Sequence, residues 1–598
     1  MKYIVLAILI ISISFAQFSQ ETASDELNIN PKEITEATFQ IIKSGTLKVD
    51  GEISKINFTI PIPQSGIQKI DVDADQWFYI SDSFGNNLLL LEWENAKKDV
   101  KYKVDLTVKN TAKAAPTKLL AKDDAYLNKN SQITFNDEMR KIVHPKKRTM
   151  EQAAELAIFV NDYIEYDLSL VGELKPSDWV LQNKRGVCVE YANLLTSLLR
   201  LSEISTRYVV GYAYSVVEKK LIGHTWVEIL AADGTWIPID ATWNQAGYLD
   251  ATHIVTAYQE NANQSEVLNY VTSGAGINWD RNQDILKLLN YSTVALRENY
   301  VDSQDVKAGE KGYATVLIKS DTCRINEITL SSCIRQDGSS MFEIYDAKKS
   351  IFNCGDKNLY WFFNTTEDLE EGYTYTCNLN LFDQTGTHSE REIKISPTKD
   401  FYGRAIITGP DTVSINEEFQ LEAVADSEFI FYNDKLGRFL DKTWNLKFDK
   451  EGEHTFYLHS NGNLAVKTVR VQSQKEFLLN VDIENKNNIT EGDNFTVFVT
   501  VENLLSTQKT ADLSIKYGDQ KKSETITLAA KGKNTKKYIF VAEKSDTVSI
   551  SVSGISIASF SDAINVKEKK KDMAIESSFI DEIMNFINNL INSLLGKP

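Results

Sequence analysis

Apolar and polar positions alternate with a period of two through most of this chain, and a helical period takes over in three places. Between about residues 20 and 115 the alternation runs through Thr46-Leu47-Lys48-Val49, Ile56-Asn57-Phe58-Thr59-Ile60 and Lys101-Tyr102-Lys103-Val104-Asp105-Leu106. The turn signal Ser83-Phe84-Gly85-Asn86-Asn87 interrupts it, which predicts a small antiparallel β domain. From about 116 to 295 the texture changes. Thr149-Met150-Glu151-Gln152 has the form of a capping box, and Ala154, Leu156, Ala157, Val160 and Ile164 make an apolar stripe, so a helix is predicted through about Tyr163. Asn183-Lys184-Arg185-Gly186 reads as a loop. A second helix follows from Cys188 to Leu201, apolar at Ala192, Leu195, Leu198 and Leu199. Strand patterns at 207–217, 224–230 and 235–242 come next, and helices followed by antiparallel strands describe an α+β core.

Past about residue 296 the β alternation returns in three blocks, 296–400, 401–474 and 475–562, each near the size of an immunoglobulin-like sandwich. The third, through Thr496-Val497-Phe498-Val499-Thr500-Val501, resembles surface adhesion modules of the CARDB type in its β alternation. Residues 563–598 differ. Lys567-Glu568-Lys569-Lys570-Lys571-Asp572 makes a charged linker, and Phe579, Ile580, Ile583, Met584, Ile587, Leu590, Ile591, Leu594 and Leu595 recur at helical spacing. Such an amphipathic helix packs on the last sandwich, or binds a partner or a membrane surface. At the other end, Lys2, the apolar run to Phe15 and the small-residue signature at Ala16 predict a signal peptide over 1–16. A buried N-terminal strand is the competing reading of the same run.

With 598 residues the chain exceeds what one core supports, so the multidomain pattern is expected. A formal charge of −18 excludes nucleic acid as the main partner, because phosphate binding needs a basic face. Cys323, Cys333, Cys354 and Cys377 crowd into one β block, while Cys188 stands far away. An even cluster in an exported chain predicts disulfides, with three pairings open. Their spacings lack the paired CxxC pattern of a zinc site, and no EF-hand loop is present, so no metal or other cofactor is expected. Cys188 is then the unpaired thiol.

It heads Gly186-Val187-Cys188-Val189-Glu190-Tyr191-Ala192. Gly223-His224-Thr225-Trp226-Val227-Glu228 and Trp236-Ile237-Pro238-Ile239-Asp240-Ala241-Thr242 follow. A thiol in the first turn of a helix gains from the unpaired N–H groups and the dipole there. An imidazole within reach takes its proton, and a carboxylate holds the imidazole's tautomer. Ala231-Ala232-Asp233-Gly234 joins the histidine and aspartate strands as a hairpin.

These ordered blocks, with Leu198-Leu199-Arg200, Arg207-Tyr208-Val209 and Gly211-Tyr212 between them, resemble the transglutaminase-like superfamily, whose core is related to papain-like thiol enzymes. The resemblance covers about 116–295. Ser205-Thr206 and Asp240-Ala241 depart from the family's Pro-Ala and Asp-Pro, in a loop and a turn. It implies a catalytic Cys188, His224 and Asp240. The Cys188 backbone N–H is the default oxyanion donor, with Gln182, six residues upstream, and Trp179 as further candidates. His253 in Asp250-Ala251-Thr252-His253-Ile254 fits a recurring family strand and reads as structural. The implied protein is an exported thiol enzyme acting on amide bonds of proteins or peptides, with hydrolysis favoured over crosslinking. The C-terminal β modules suit cell-surface components as partners. They also motivate the alternative of a catalytically silent adhesion or scaffold protein.

Overall fold

The computed structural model describes residues 9–16, 22–23, 27–115, 119–143, 147–260, 265–293, 299–384, 388–398, 404–426, 428–472, 476–484, 486, 488–505, 507–543, 545–553, 557–564 and 566–567. The amphipathic segment at 579–595 and the first eight residues of the predicted signal lie outside them. The chain divides into two compact units, 1–471 and 472–598. It is multidomain, mostly β, with a transglutaminase-like α+β core preceded by a β domain and followed by immunoglobulin-like sandwiches.

The N-terminal β domain is built of two facing sheets. One is ordered Leu9–Ala16, Ser265–Thr272, Ile53–Pro61, Asn87–Ala96 and Gln76–Ser81. The other is ordered Thr22–Ala23, Asp284–Thr293, Ile34–Asp50, Val100–Thr111 and Ile67–Asp73, with Gly276–Arg281 also on Ile34–Asp50. Period-two burial along Ile34–Asp50 and Val100–Thr111 turns Phe39, Ile41, Val104 and Leu106 inward against Phe58, Leu91 and Trp93 of the facing sheet. Two differences from the sequence reading stand out. Strands within 265–293, grouped with the 116–295 core by position, pair with the N-terminal strands instead. Alternation marks a strand but carries no information on a partner more than 200 residues away. Leu9–Ala16, within the predicted signal, pairs antiparallel with Ser265–Thr272. Its Ile11-Ser12-Ile13-Ser14-Phe15 pattern satisfies a strand's period as well as an export signal's hydrophobicity.

In the α+β core, helices Met150–Tyr163 and Cys188–Leu201 cover a five-stranded sheet. Its order is Gln245–Ala246, Trp236–Asp240, Lys220–Leu230, Thr206–Ser215 and Ile254–Gln259. Ala154, Ala157 and Val160 from one helix meet Leu194, Leu195 and Leu198 from the other over Tyr208, Val227, Ile229, Ile237 and Ile239. The short helix Ser177–Asn183, which periodicity did not reveal, packs beside them. The sheet serves both cores: further along the same two strands, Tyr212, Tyr214 and Leu221 join the β-domain cluster.

Residues 299–398 form a sandwich around Trp361, Phe363 and Leu379 and carry two disulfides, Cys323–Cys354 and Cys333–Cys377. These resolve the three open pairings. Residues 404–472 form a second sandwich around Phe431, Phe456 and Val469. The separate second unit is a sandwich of Phe477–Ile483, Asn494–Asn503 and Lys533–Val541 over Gln520–Leu528, Lys509–Tyr517, Asp546–Ser553 and Ile557–Ile564. No helix among the described residues is long and apolar enough to cross a membrane.

Candidate active site

Cys188 is the first residue of its helix, half-buried, and the one free cysteine. Three local features fix it there. Glu165-Tyr166 pairs in parallel with Arg185-Gly186, which sets the direction of the incoming chain. Glu190, fully buried in the first turn, accepts the backbone N–H of Val187 at 3.0 Å and of Lys175 at 3.1 Å. It so ties the helix start to the preceding loop and satisfies two backbone donors. Gly186 makes room for it: a Cβ there would lie 2.2 Å from Glu190 Cβ. Burial pushes the Glu190 carboxyl up, opposed by those same N–H donors.

His224 sits on Lys220–Leu230, paired in register with Trp236–Asp240 through Val227 opposite Ile239. Extending that register by one places Asp240 opposite Trp226, one diagonal step from His224 on the same face. The two side chains meet, with His224 Nε2 2.8 Å from Asp240 Oδ2. Asp240 Oδ1 accepts the N–H groups of Thr242 at 2.8 Å and Trp243 at 3.4 Å, which turns the carboxylate toward the imidazole. Nε2 is thereby committed to Asp240, and Nδ1 is the nitrogen left for Cys188. It is shut off from solvent and has no partner at full hydrogen-bond geometry. The thiol of Cys188 is near enough to act on its protonation.

Burial disfavours charge on His224, but the Asp240 carboxylate overcomes it and, with help from Cys188, pushes the imidazole up to about 9. Asp240 is likewise penalised by burial, yet His224 and His253 hold it well below the usual carboxylate range. Each member of the pair thus favours the charged form of the other. Aromatic rings wall the site. Trp243 stacks on His224 at 5.2 Å and Trp226 at 5.9 Å between centroids, and Tyr166 lies 5.8 Å from Trp243. Burial, then the nearby Cys188, raises the Tyr166 phenol, so it stays a neutral donor.

Gln182 and Trp179 share the Ser177–Asn183 helix. Gln182 is exposed, Trp179 is half-buried beneath Lys175 and Arg185, and neither hydrogen-bonds to Cys188. Trp243, which sequence reasoning passed over, carries a buried Nε1 without a hydrogen-bond partner. Its position three residues past Asp240 was the available signal. His253 does more than pack: its Nε2 is 3.2 Å from the Asp240 oxygen that holds His224. His224, Asp240 and His253 place possible metal-ligand atoms within 4.8 Å of one another. Both Nε2 atoms, however, are spent on Asp240 Oδ2, a closed hydrogen-bonded cluster and not an open coordination sphere.

Residues 136–241 match the family model described as the transglutaminase-like superfamily. The chain carries a transglutaminase-like domain. No curated protein matches the chain. Among solved structures, it is similar to a Cytophaga hutchinsonii protein provisionally assigned as a cysteine protease, at 14% identity and a TM-score of 0.28, over 44% of this chain and 94% of that one. Red sea bream transglutaminase is similar at 10% identity and a TM-score of 0.14, over 94% and 95% of the two chains. An I67–I69 fragment of titin is similar at 9% identity and a TM-score of 0.13, over 46% and 100%.

Proposed function

We propose that this protein is an exported thiol enzyme that acts on amide bonds of proteins or peptides through a thioester at Cys188. One observation carries the reading: His224 is clamped by Asp240 through Nε2 at 2.8 Å, so that Nδ1 is the nitrogen left for a thiol in the first turn of a helix. Nδ1 takes the thiol proton, and the thiolate attacks the amide carbonyl. The Cys188 backbone N–H, at a helix position with no intrahelical acceptor, supports the oxyanion. Trp243, Trp179 and Gln182 are the side chains whose replacement tests a second donor. His224 then gives its proton to the leaving amine, the C–N bond breaks, and the acyl group remains on sulfur. Water, deprotonated by the now neutral His224, releases the acid and restores the thiol. A lysine amine in place of water gives a crosslink.

Hydrolysis is favoured on the family resemblance of the sequence. Two disulfides suit an oxidising exterior, and cleavage of the leader after Ala16 would release the mature chain. The immunoglobulin-like sandwiches suit presentation of the enzyme at a cell surface. The test offers a glutamine-bearing peptide with and without a tagged amine and weighs the products. Chain cleavage identifies a peptidase, loss of ammonia a deamidase, and tag incorporation a transamidase, each absent in Cys188→Ala. Activity fully retained in Cys188→Ala would refute the thiol mechanism and leave the scaffold reading.

A further inference from the structure

Asp240 holds two imidazoles. Its Oδ2 lies 2.8 Å from His224 Nε2 and 3.2 Å from His253 Nε2. The other ring nitrogen of His253, Nδ1, faces Asp250 Oδ1 at 3.3 Å, an ion-pair contact outside full hydrogen-bond geometry. All four side chains are buried. Asp250 is itself fixed by donors: Gln245 Nε2 at 2.7 Å, the Thr252 N–H at 2.8 Å and the Thr252 hydroxyl at 2.5 Å. A carboxylate surrounded by donors is ionised and accepts only. A neutral His253 would set one nitrogen lone pair against one of the two carboxylates. Only the doubly protonated ring satisfies both sides.

We propose that His253 is an imidazolium at neutral pH, clamped between Asp240 and Asp250, that positions Asp240 and sets from behind how tightly His224 holds its proton. The proposal rests on the thiol-enzyme reading for its catalytic meaning. The titratable groups around His253 are Asp240 and Asp250 in contact, His224 at 5.7 Å between ring centroids, Tyr248 beside Asp250, and Cys188 beyond His224. Trp226 stands edge-on at 5.3 Å, and Asn110 of the β domain donates to the His253 carbonyl at 2.8 Å. The carboxylates overcome burial and push His253 up to about 9.

The clamp separates the two tasks of Asp240. Its negative charge is needed to orient His224, but uncompensated in a buried site it would grip the imidazolium proton too tightly for return to a leaving amine. The cation behind it moderates that grip. At an effective dielectric constant of about 20, a unit charge at this separation moves a neighbour's pKa by roughly two units. His253→Gln removes that charge while Asp250 stays in place, so a shift of about two units is expected.

The test is nitrogen NMR of the full chain with labelled histidine. In the unmutated protein at pH 7 both His253 nitrogens should carry protons, and a neutral tautomer overturns the proposal without any variant needing to fold. The second measurement titrates His224 in Cys188→Ala and in the double variant with His253→Gln, which keeps a donor to Asp240 but removes the charge. The His224 midpoint should rise by about two units. An unchanged or lower midpoint overturns the proposal, since merely structural packing would loosen Asp240 and let His224 fall. Failure of the thiol-enzyme reading has a separate signature, an unmutated Cys188 that titrates like a small thiol, and leaves the His253 result interpretable.

Discussion

Gly186→Ala tests how the helix start places the nucleophile. The added Cβ would lie 2.2 Å from Glu190 Cβ and 2.8 Å from its Cγ. Ordinary carbon contacts begin near 3.5 Å, so the two must part by about 1.3 Å. Glu190 Cβ is bonded to the helix backbone two residues past Cys188 and its carboxylate is held by two N–H groups, so no flexible tip can absorb the strain. The strand pairing of Gly186 with Tyr166 resists from the other side. Overpacking of this kind costs about 1–3 kcal/mol. A displacement of about 1 Å at a nucleophile costs on the order of a hundredfold in rate. Urea unfolding reads the first, and turnover of the peptide substrate, or alkylation of Cys188 where no substrate is in hand, reads the second. A variant with unchanged midpoint and unchanged reactivity would refute the claim that Glu190 and Gly186 together fix the helix start.

Other consequences are equally concrete. Asp240→Asn removes the carboxylate that overcomes burial on His224 and leaves only Cys188 to oppose it, so the imidazole pKa falls. Alkylation of Cys188 at pH 6 should then slow at least about tenfold. His224 and His253 are both raised from 6.5 to about 9, so the stability they contribute is fully present below about pH 6.5 and lost as pH rises through 9. Calorimetry should show a melting temperature falling across that window, and a flat profile would count against the ionised cluster. Asp240 and Asp250, held low, contribute stability above the ordinary aspartate range that is lost as pH falls through their depressed values. Removing the Cys323–Cys354 bridge with paired serines should cost roughly 3–4 kcal/mol for its separation of 31 residues, measured by denaturant unfolding. It should also loosen the turn after Asp240, because Gly247, at φ +75°, sits so close to the Cys323 carbonyl that a Cβ there would lie at 2.7 Å.

Local features of the site were legible because they are local. The Gly186-Val187-Cys188 turn, the apolar helix face behind it and the hairpin joining His224 to Asp240 all lie within short stretches whose periodicity is unambiguous. What escaped was set by distant partners. The strands in 265–293 alternate like any others, and only three-dimensional packing assigns them to the N-terminal sheets. Gln182 stands at a suggestive spacing, yet the Ser177–Asn183 helix leaves it exposed. His253 gave no spacing signal toward His224, because an intervening turn and strand bring it onto Asp240. The disulfide partners followed the sandwich's strand order, which cysteine spacing does not encode.

The central claim is that Cys188 is an activated nucleophile paired with His224. Its most direct test is the rate of Cys188 alkylation by iodoacetamide as a function of pH, followed by intact mass. A thiolate–imidazolium pair predicts a rate nearly flat between pH 6 and pH 8. A rate that climbs about tenfold per pH unit through that range, as an ordinary thiol's does, would contradict it.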